Sequence, residues 1–163
     1  LWSNILDSGK KFGLKISSMQ AMNIRRIEAG ILDCGSDFGL DDNPYEVGLG
    51  NFIDLKKKSF IGKEKLITLS KHKLLFGFIS NSLIPKGGLH IYDDRKKNVG
   101  LVTTGAYSPQ FKSGIGYVKF SKKIEWEGKN FFVKNDDNKL YECNVIDLPF
   151  FDKNKKLPRK ILI

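Results

Sequence analysis

From residue 73 onward the chain carries six short segments rich in aromatic and β-branched residues, each set off by a turn cluster. They read "KLLFGFIS", "GGLHIYDD", "NVGLVTTG", "GIGYVKFS", "KNFFVKND" and "KLYECNVI", with "NSLIPKGG", "DDRKKN" and "NDDN" among the punctuation. Strand-length runs at this spacing predict a small antiparallel barrel or sandwich. In the last segment Tyr141, Cys143 and Val145 alternate with Glu142 and Asn144, which makes Cys143 a packed core thiol.

Upstream the period is helical. Residues 1 to about 15 and about 19 to 31 read as two helices, with Gly9 or Gly13 available to end the first. "GSDFGLDDNPYEVGLG" follows as a long turn-rich connection. "NFIDLKK" reads as a short strand, and "FIGKEKLITLSKHK" as a helix with Ser59 as its N-terminal cap. The fold class is therefore α+β.

Within the second helix, residues about 100° apart place Ala21, Ile24, Ile27 and Ile31 on one face, with Glu28 about 40° from Ile24. Glu28 thus sits at the margin of an apolar stripe, where a carboxylate needs a partner. Arg25, three residues earlier, is within reach. Two readings stay open: an ordinary Arg25–Glu28 helix pair, or an Arg/Glu group lining a site with Arg26 reaching another domain.

The 163 residues are 40% hydrophobic and 28% charged, as in an ordinary globular protein, and no apolar run approaches the roughly 20 residues that span a bilayer. Cys34 and Cys143 are far apart and no leader of the secretory type precedes them, so they are expected to be reduced thiols in a cytoplasmic protein. The chain starts at Leu1, inside what reads as an amphipathic helix, and is expected to be a fragment with an absent N-terminal partner. The net charge of +10 sets 28 lysines and arginines against 18 aspartates and glutamates, and only four of the 28 are arginines. The lysines are scattered among Asp and Asn, and arginine, the residue suited to bidentate phosphate contact, is scarce. A solvated surface is expected rather than a nucleic-acid interface.

His72 and His90 stand apart from any ligand-spaced cluster, so no metal site is expected. "GLG" at 48–50 and "GIG" at 114–116 read as turns and strand bends. Asp41, Asp42 and Glu46 read as solvated loop carboxylates. "TTGAYSPQF", 103–111, reads as a loop joining two strands, offering hydroxyls from Thr103, Thr104, Tyr107 and Ser108 to a polar ligand, or else as a plain turn.

"RRIEAGILDCGSD", "DDNPYEVGLG", "FIGKEKL", "TTGAYSP", "GIGYV" and "CNVIDLPFFD" occur in this order. Together they resemble the C-terminal half of the folate-dependent aminomethyltransferase family, that of the glycine-cleavage T-protein, from Leu1 to about Asp152. "NPYE", "FIGKEKL", "YSPQF" and "DLPF" look most similar to the dimethylsulfoniopropionate demethylase branch. T-proteins usually carry an Arg-Asp pair where this chain has Met22 and Asn23; "RIE" at 26–28 is retained.

The resemblance implies that residues 1–72 are the C-terminal portion of the folate-binding middle domain and crossing segment. It makes residues 73–152 a six-stranded antiparallel C-terminal barrel; the tail that follows, 153–163, reads from its own residues as basic and partly frayed, with final apolar residues able to dock. It also implies transfer of a one-carbon group from a sulfonium or methylated amine donor to N5 of tetrahydrofolate. Arg26, Glu28, Tyr107 and Ser108 are the expected cofactor-binding residues, with the catalytic residues in the missing N-terminal half and the fragment alone inactive. Neither nucleic acid nor membrane is an expected partner. The alternatives are the glycine-cleavage T-protein itself, the related domain of sarcosine or dimethylglycine dehydrogenases, and a non-catalytic folate-binding protein. That last branch carries a Lys-Gly-Cys-Tyr-x-Gly-Gln-Glu motif whose Cys and Gln are lacking in "SFIGKEKL".

Overall fold

A computed structural model describes residues 1–123 and 125–157. The expected docking of the last apolar residues of the tail lies outside these residues. The elements run α1 (Trp2–Lys10), α2 (Met19–Glu28), a 3-10 turn (Gly50–Phe52), α3 (Lys63–Thr68), β1 (Leu75–Ser80), β2 (His90–Tyr92), β3 (Asn98–Ser108), β4 (Ser113–Phe120), β5 (Asn130–Lys134) and β6 (Leu140–Ile146).

Each of the six strands falls on one of the six aromatic and β-branched segments, with β3 running three residues past its segment to Ser108 and β4 starting one residue early at Ser113. They close into an antiparallel barrel in the order β1-β4-β3-β2-β5-β6, with β1 pairing to β6 to complete the ring. Closure leaves the sheet without a free edge. Inward side chains such as Phe78, Val118, Phe131 and Cys143 fill the interior. Phe78 meets Phe131 edge-on at 5.4 Å between ring centres, and Phe120 stacks on Trp126 at 3.9 Å. Burial pushes the Cys143 thiol up to about 11, consistent with an inert packing role.

β1 and β4 are buried on both faces. Their outward residues Leu75, Ile115 and Tyr117 form a second apolar cluster with Ile27 of α2 and Val47. Strands covered on both sides need no polar alternation, which is why "LFGFIS" and "GIGYVKF" read as nearly continuous apolar runs. Gly116 is needed here because a Cβ would lie 2.4 Å from the Thr104 carbonyl oxygen and 2.8 Å from the Phe78 ring.

Four expectations upstream are corrected. The second helix ends at Glu28, not at 31, because Gly30 adopts φ +70°. The Gly30 amide donates to Ile27 O (3.0 Å) and the Ile31 amide to Arg26 O (2.9 Å), a Schellman ending. Ile31 is therefore exposed rather than on the buried stripe. "NFIDLKK" contains the 3-10 turn and no strand, since no neighbouring strand offers it an edge. α3 spans only Lys63–Thr68, starts from Gly62 rather than Ser59, and buries no residue.

"TTGAYSPQF" is not mainly a loop: β3 continues through Ser108, and the turn follows it. Asp42 is no solvated loop carboxylate either. It is largely covered and paired with Lys119 of β4. Burial alone would raise its carboxyl, but the Lys119 hydrogen bond, the Gly39 amide and the Lys119 charge together hold it below 3.8.

Candidate functional site

α2 lies across the outer faces of β3 and β4, and its position rests on local chemistry at both ends. At the start, Ser18 Oγ accepts from the Ala21 amide at 3.1 Å. At the finish, the Tyr117 hydroxyl lies within 3.0–3.2 Å of the carbonyls of Ile27, Arg26 and Ile31, which share its single proton. The Phe151 amide donates to Glu28 O and Lys155 Nζ to Ala29 O, so further orphan carbonyls of the last turn are also satisfied. Burial first, and the Asp37 charge second, push the Tyr117 phenol well above its ordinary value. It acts as a fixed donor.

Along β3, period-two alternation turns Thr104, Ala106 and Ser108 toward α2. A bulge lies between Val102 and Thr104, where Val102 pairs with Val118 and Thr104 with Tyr117. The extra residue, Thr103, is thereby aimed at the same side as its neighbour. Thr103 Oγ1 donates to Asp37 Oδ1 at 2.8 Å, while Thr104 Oγ1 accepts from Arg26 NH2 at 3.2 Å. Between them Arg26 NH1 meets Asp37 Oδ2 at 2.6 Å, with the Asp37 side chain fully buried. Arg26 also donates through Nε to Asn23 and through NH1 to the Ile31 carbonyl. Four of its five N–H groups are taken by these partners, and its work is to bolt α2 to the barrel.

Glu28 is differently placed. It is 2% exposed, and its Oε1 accepts from Ser108 Oγ at 2.5 Å while Oε2 meets Arg25 NH1 at 2.9 Å. Ser108 Oγ also accepts the Phe111 amide, which ties the β3–β4 turn to the same carboxylate. Beside this group opens a groove of 360 Å³, lined by Ala21, Ile24, Arg25, Glu28, Pro109 and Gln110. The α2 side presents Ala21 and Ile24 with the Arg25 guanidinium and the Glu28 carboxylate, and the β3–β4 turn opposite presents Pro109 and the Gln110 carboxamide.

Of the four expected site residues, the structure brings Glu28 and Ser108 into direct contact. It sets Arg26 one step away in the Asp37–threonine network. Tyr107 is not part of the group: it is 44% exposed, and as the strand neighbour of Ser108 it projects to the other face. Sequence reasoning missed Asp37, Tyr117 and Gln110. Asp37 sits in a Gly-rich turn where a lone acid looks solvated. The φ of Gly30 was legible in principle as a helix-ending glycine.

Residues 1–57 match the GCVT N-terminal domain. Residues 73–152 match the glycine cleavage T-protein C-terminal barrel domain. The chain belongs to the glycine-cleavage T-protein family. The aminomethyltransferase of Caldanaerobacter subterraneus subsp. tengcongensis is 37% identical over 161 residues, covering 96% of this chain and 42% of that protein. The aminomethyltransferase of Alkaliphilus oremlandii is also 37% identical, over 160 residues, covering 96% and 43%. This T-protein family chain thus spans less than half the length of these relatives. The crystal structure of the glycine cleavage system aminomethyltransferase T from Bartonella henselae shares the fold, with a TM-score of 0.69 at 24% identity, over 80% of this chain and 38% of that one.

Proposed function

We propose that this chain is the C-terminal portion of a tetrahydrofolate-dependent aminomethyltransferase, with the groove beside Glu28 forming one wall of the folate cavity. The observation that carries the reading is the buried Ser108–Glu28 pair, with the exposed Arg25 bonded to it, at the edge of that groove. A desolvated carboxylate with both oxygens committed is a rigid feature suited to a binding wall. The relatives named above are aminomethyltransferases, which favours aminomethyl transfer over the sulfonium-demethylase branch. One observation speaks for a different donor: a second hollow of 460 Å³ is lined by Met22 and Ile31 beside Arg25 and Arg26. Met22 stands where T-proteins usually carry arginine, and a thioether there suits a less anionic donor.

The groove's apolar lining of Ala21, Ile24 and Pro109 suits an aromatic or amide surface, and its polar lining of Arg25, Glu28 and Gln110 supplies donors and an acceptor, so the residues fit part of a folate. Bound tetrahydrofolate supplies N5 as the acceptor of the one-carbon unit. The chain's own part is positional: Ser108 fixes Glu28, Glu28 fixes Arg25, and the Arg26–Asp37 bolt keeps α2 in register with β3.

Residues 1–72 complete a middle domain begun upstream, and 73–152 form the barrel domain. The apolar side chains left open by α1, α2 and the turn between them, including Trp2, Phe12, Met19 and Met22, are covered by that upstream part. The full-length protein should form methylenetetrahydrofolate from an aminomethyl donor. Formation of methyltetrahydrofolate from a sulfonium donor instead would select the demethylase branch, and no one-carbon transfer to tetrahydrofolate from either would refute the proposal.

A further inference from the structure

Among the described residues Arg25 is the one cation that lines the 360 Å³ groove, and its state differs from that of its neighbour. Arg26 is spent on Asn23, Ile31, Asp37 and Thr104. The Arg25 side chain is 71% exposed and, among the described residues, donates a single hydrogen bond, through NH1 to Glu28. The guanidinium carries five N–H donors in a fixed fork, so most remain available. Arg25 also lies on a ridge, lining both this groove and the hollow at Met22 and Ile31. The Glu28 bond decides between them. Glu28 cannot move with it, because Ser108 Oγ holds the other carboxylate oxygen at 2.5 Å and the side chain is buried. A long, flexible cation is thereby held at the lip of the groove with its unused N–H groups presented to an incoming acceptor. Gln110, across the groove on the β3–β4 turn, adds a carboxamide donor.

We infer that Arg25, oriented by the Ser108–Glu28 pair, binds a carboxylate of the ligand, and specifically a glutamyl carboxylate of tetrahydrofolate. This rests on the folate reading above. The geometry selects a carboxylate over a neutral polar group because a guanidinium fork pairs with it through two parallel bonds. It also selects a group that enters from solvent, since Arg25 is exposed while Glu28 behind it is sealed.

The test uses the full-length protein and two probes of nearly the same shape: tetrahydrofolate, and tetrahydrofolate with both glutamyl carboxylates converted to amides. Dissociation constants are measured by titration calorimetry. The unaltered protein should bind the acid about tenfold more tightly than the diamide, the scale of one charge-assisted hydrogen-bonded pair. Arg25→Ala should abolish that preference while leaving the diamide within about twofold, and Arg25→Lys, which keeps charge without the fork, should restore part of it. Arg25→Ala leaves the buried Glu28 with Ser108 as its remaining partner, so thermal midpoints check that each variant is folded under the titration conditions, and Arg25→Lys keeps the counter-charge where Arg25→Ala does not. A preference that survives Arg25→Ala, or equal weakening of both probes, overturns the assignment and leaves the folate reading standing. Failure of the unaltered protein to bind either probe overturns both.

Discussion

The barrel and the helical stretch ahead of it are built on opposite terms. From β1 to β6 the chain packs its aromatic and branched side chains against one another, and the ring closes without outside help. Ahead of Leu74, only Ile27 and Val47 among the large apolar side chains of the described residues are buried, and both are buried against the barrel. α1 buries nothing. The helical stretch therefore has no core of its own. It is attached by one apolar stripe and by polar bolts, and polar bolts are where position matters more than area.

The contrast can be broken most sharply at its centre. Phe78→Ala should destabilise the chain by about 4 kcal/mol, because it opens a cavity in a closed interior. Trp2→Ala, removing a larger side chain from α1, should change stability by less than about 0.5 kcal/mol. Paired urea titrations measure both, and comparable losses would mean that α1 carries a core after all.

Next comes the bolt. Asp37→Ala leaves Arg26 under cover without its counter-charge and strips an acceptor from Thr103, for an expected loss of about 3 kcal/mol. Hydrogen exchange should show α2 losing protection while the strands keep theirs. Uniform loss across strands and helix would make the network part of the barrel rather than an attachment.

A smaller effect is expected from Tyr117→Phe, which keeps the ring and deletes the hydroxyl that serves the last carbonyls of α2. About 1 kcal/mol should be lost, with the fold intact.

The smallest effect is on pH. The folded Asp42 carboxyl lies below its ordinary 3.8. Its contribution is therefore fully present above that value and declines as pH falls through the lower folded value. Acid titration should loosen the 39–49 connection from β4 below about pH 4, and Asp42→Asn should flatten that part of the profile. A variant with an unchanged acid profile would show that Lys119 and Asp42 contribute nothing to the attachment.

Much of this architecture was legible before any coordinates. The six strands announce themselves because each must supply residues to one shared interior, which imposes aromatic and branched runs between turns. Cys143 was readable for the same reason: it alternates with Glu142 and Asn144. Helix spacing put Arg25 within reach of Glu28 and left open whether the two form a plain helix pair or line a site. The short strand expected at "NFIDLKK" failed because a strand needs a neighbour's edge, and no local pattern reports whether one is there.

The sequence by itself determined six strands of an antiparallel barrel or sandwich and put Arg25 within reach of Glu28 on α2, because these depend on residues close in the chain or on a repeated inside–outside pattern. Only the tertiary structure decided that Arg26 meets Asp37 between two threonines, that Ser108 holds Glu28, and that Tyr107 faces elsewhere. Those contacts join residues 11 to 80 positions apart. They depend on a bulge of one residue in β3 and on the angle at which α2 crosses it. A shift of one position in a strand reverses every side chain, so no spacing rule along the chain could have assigned them.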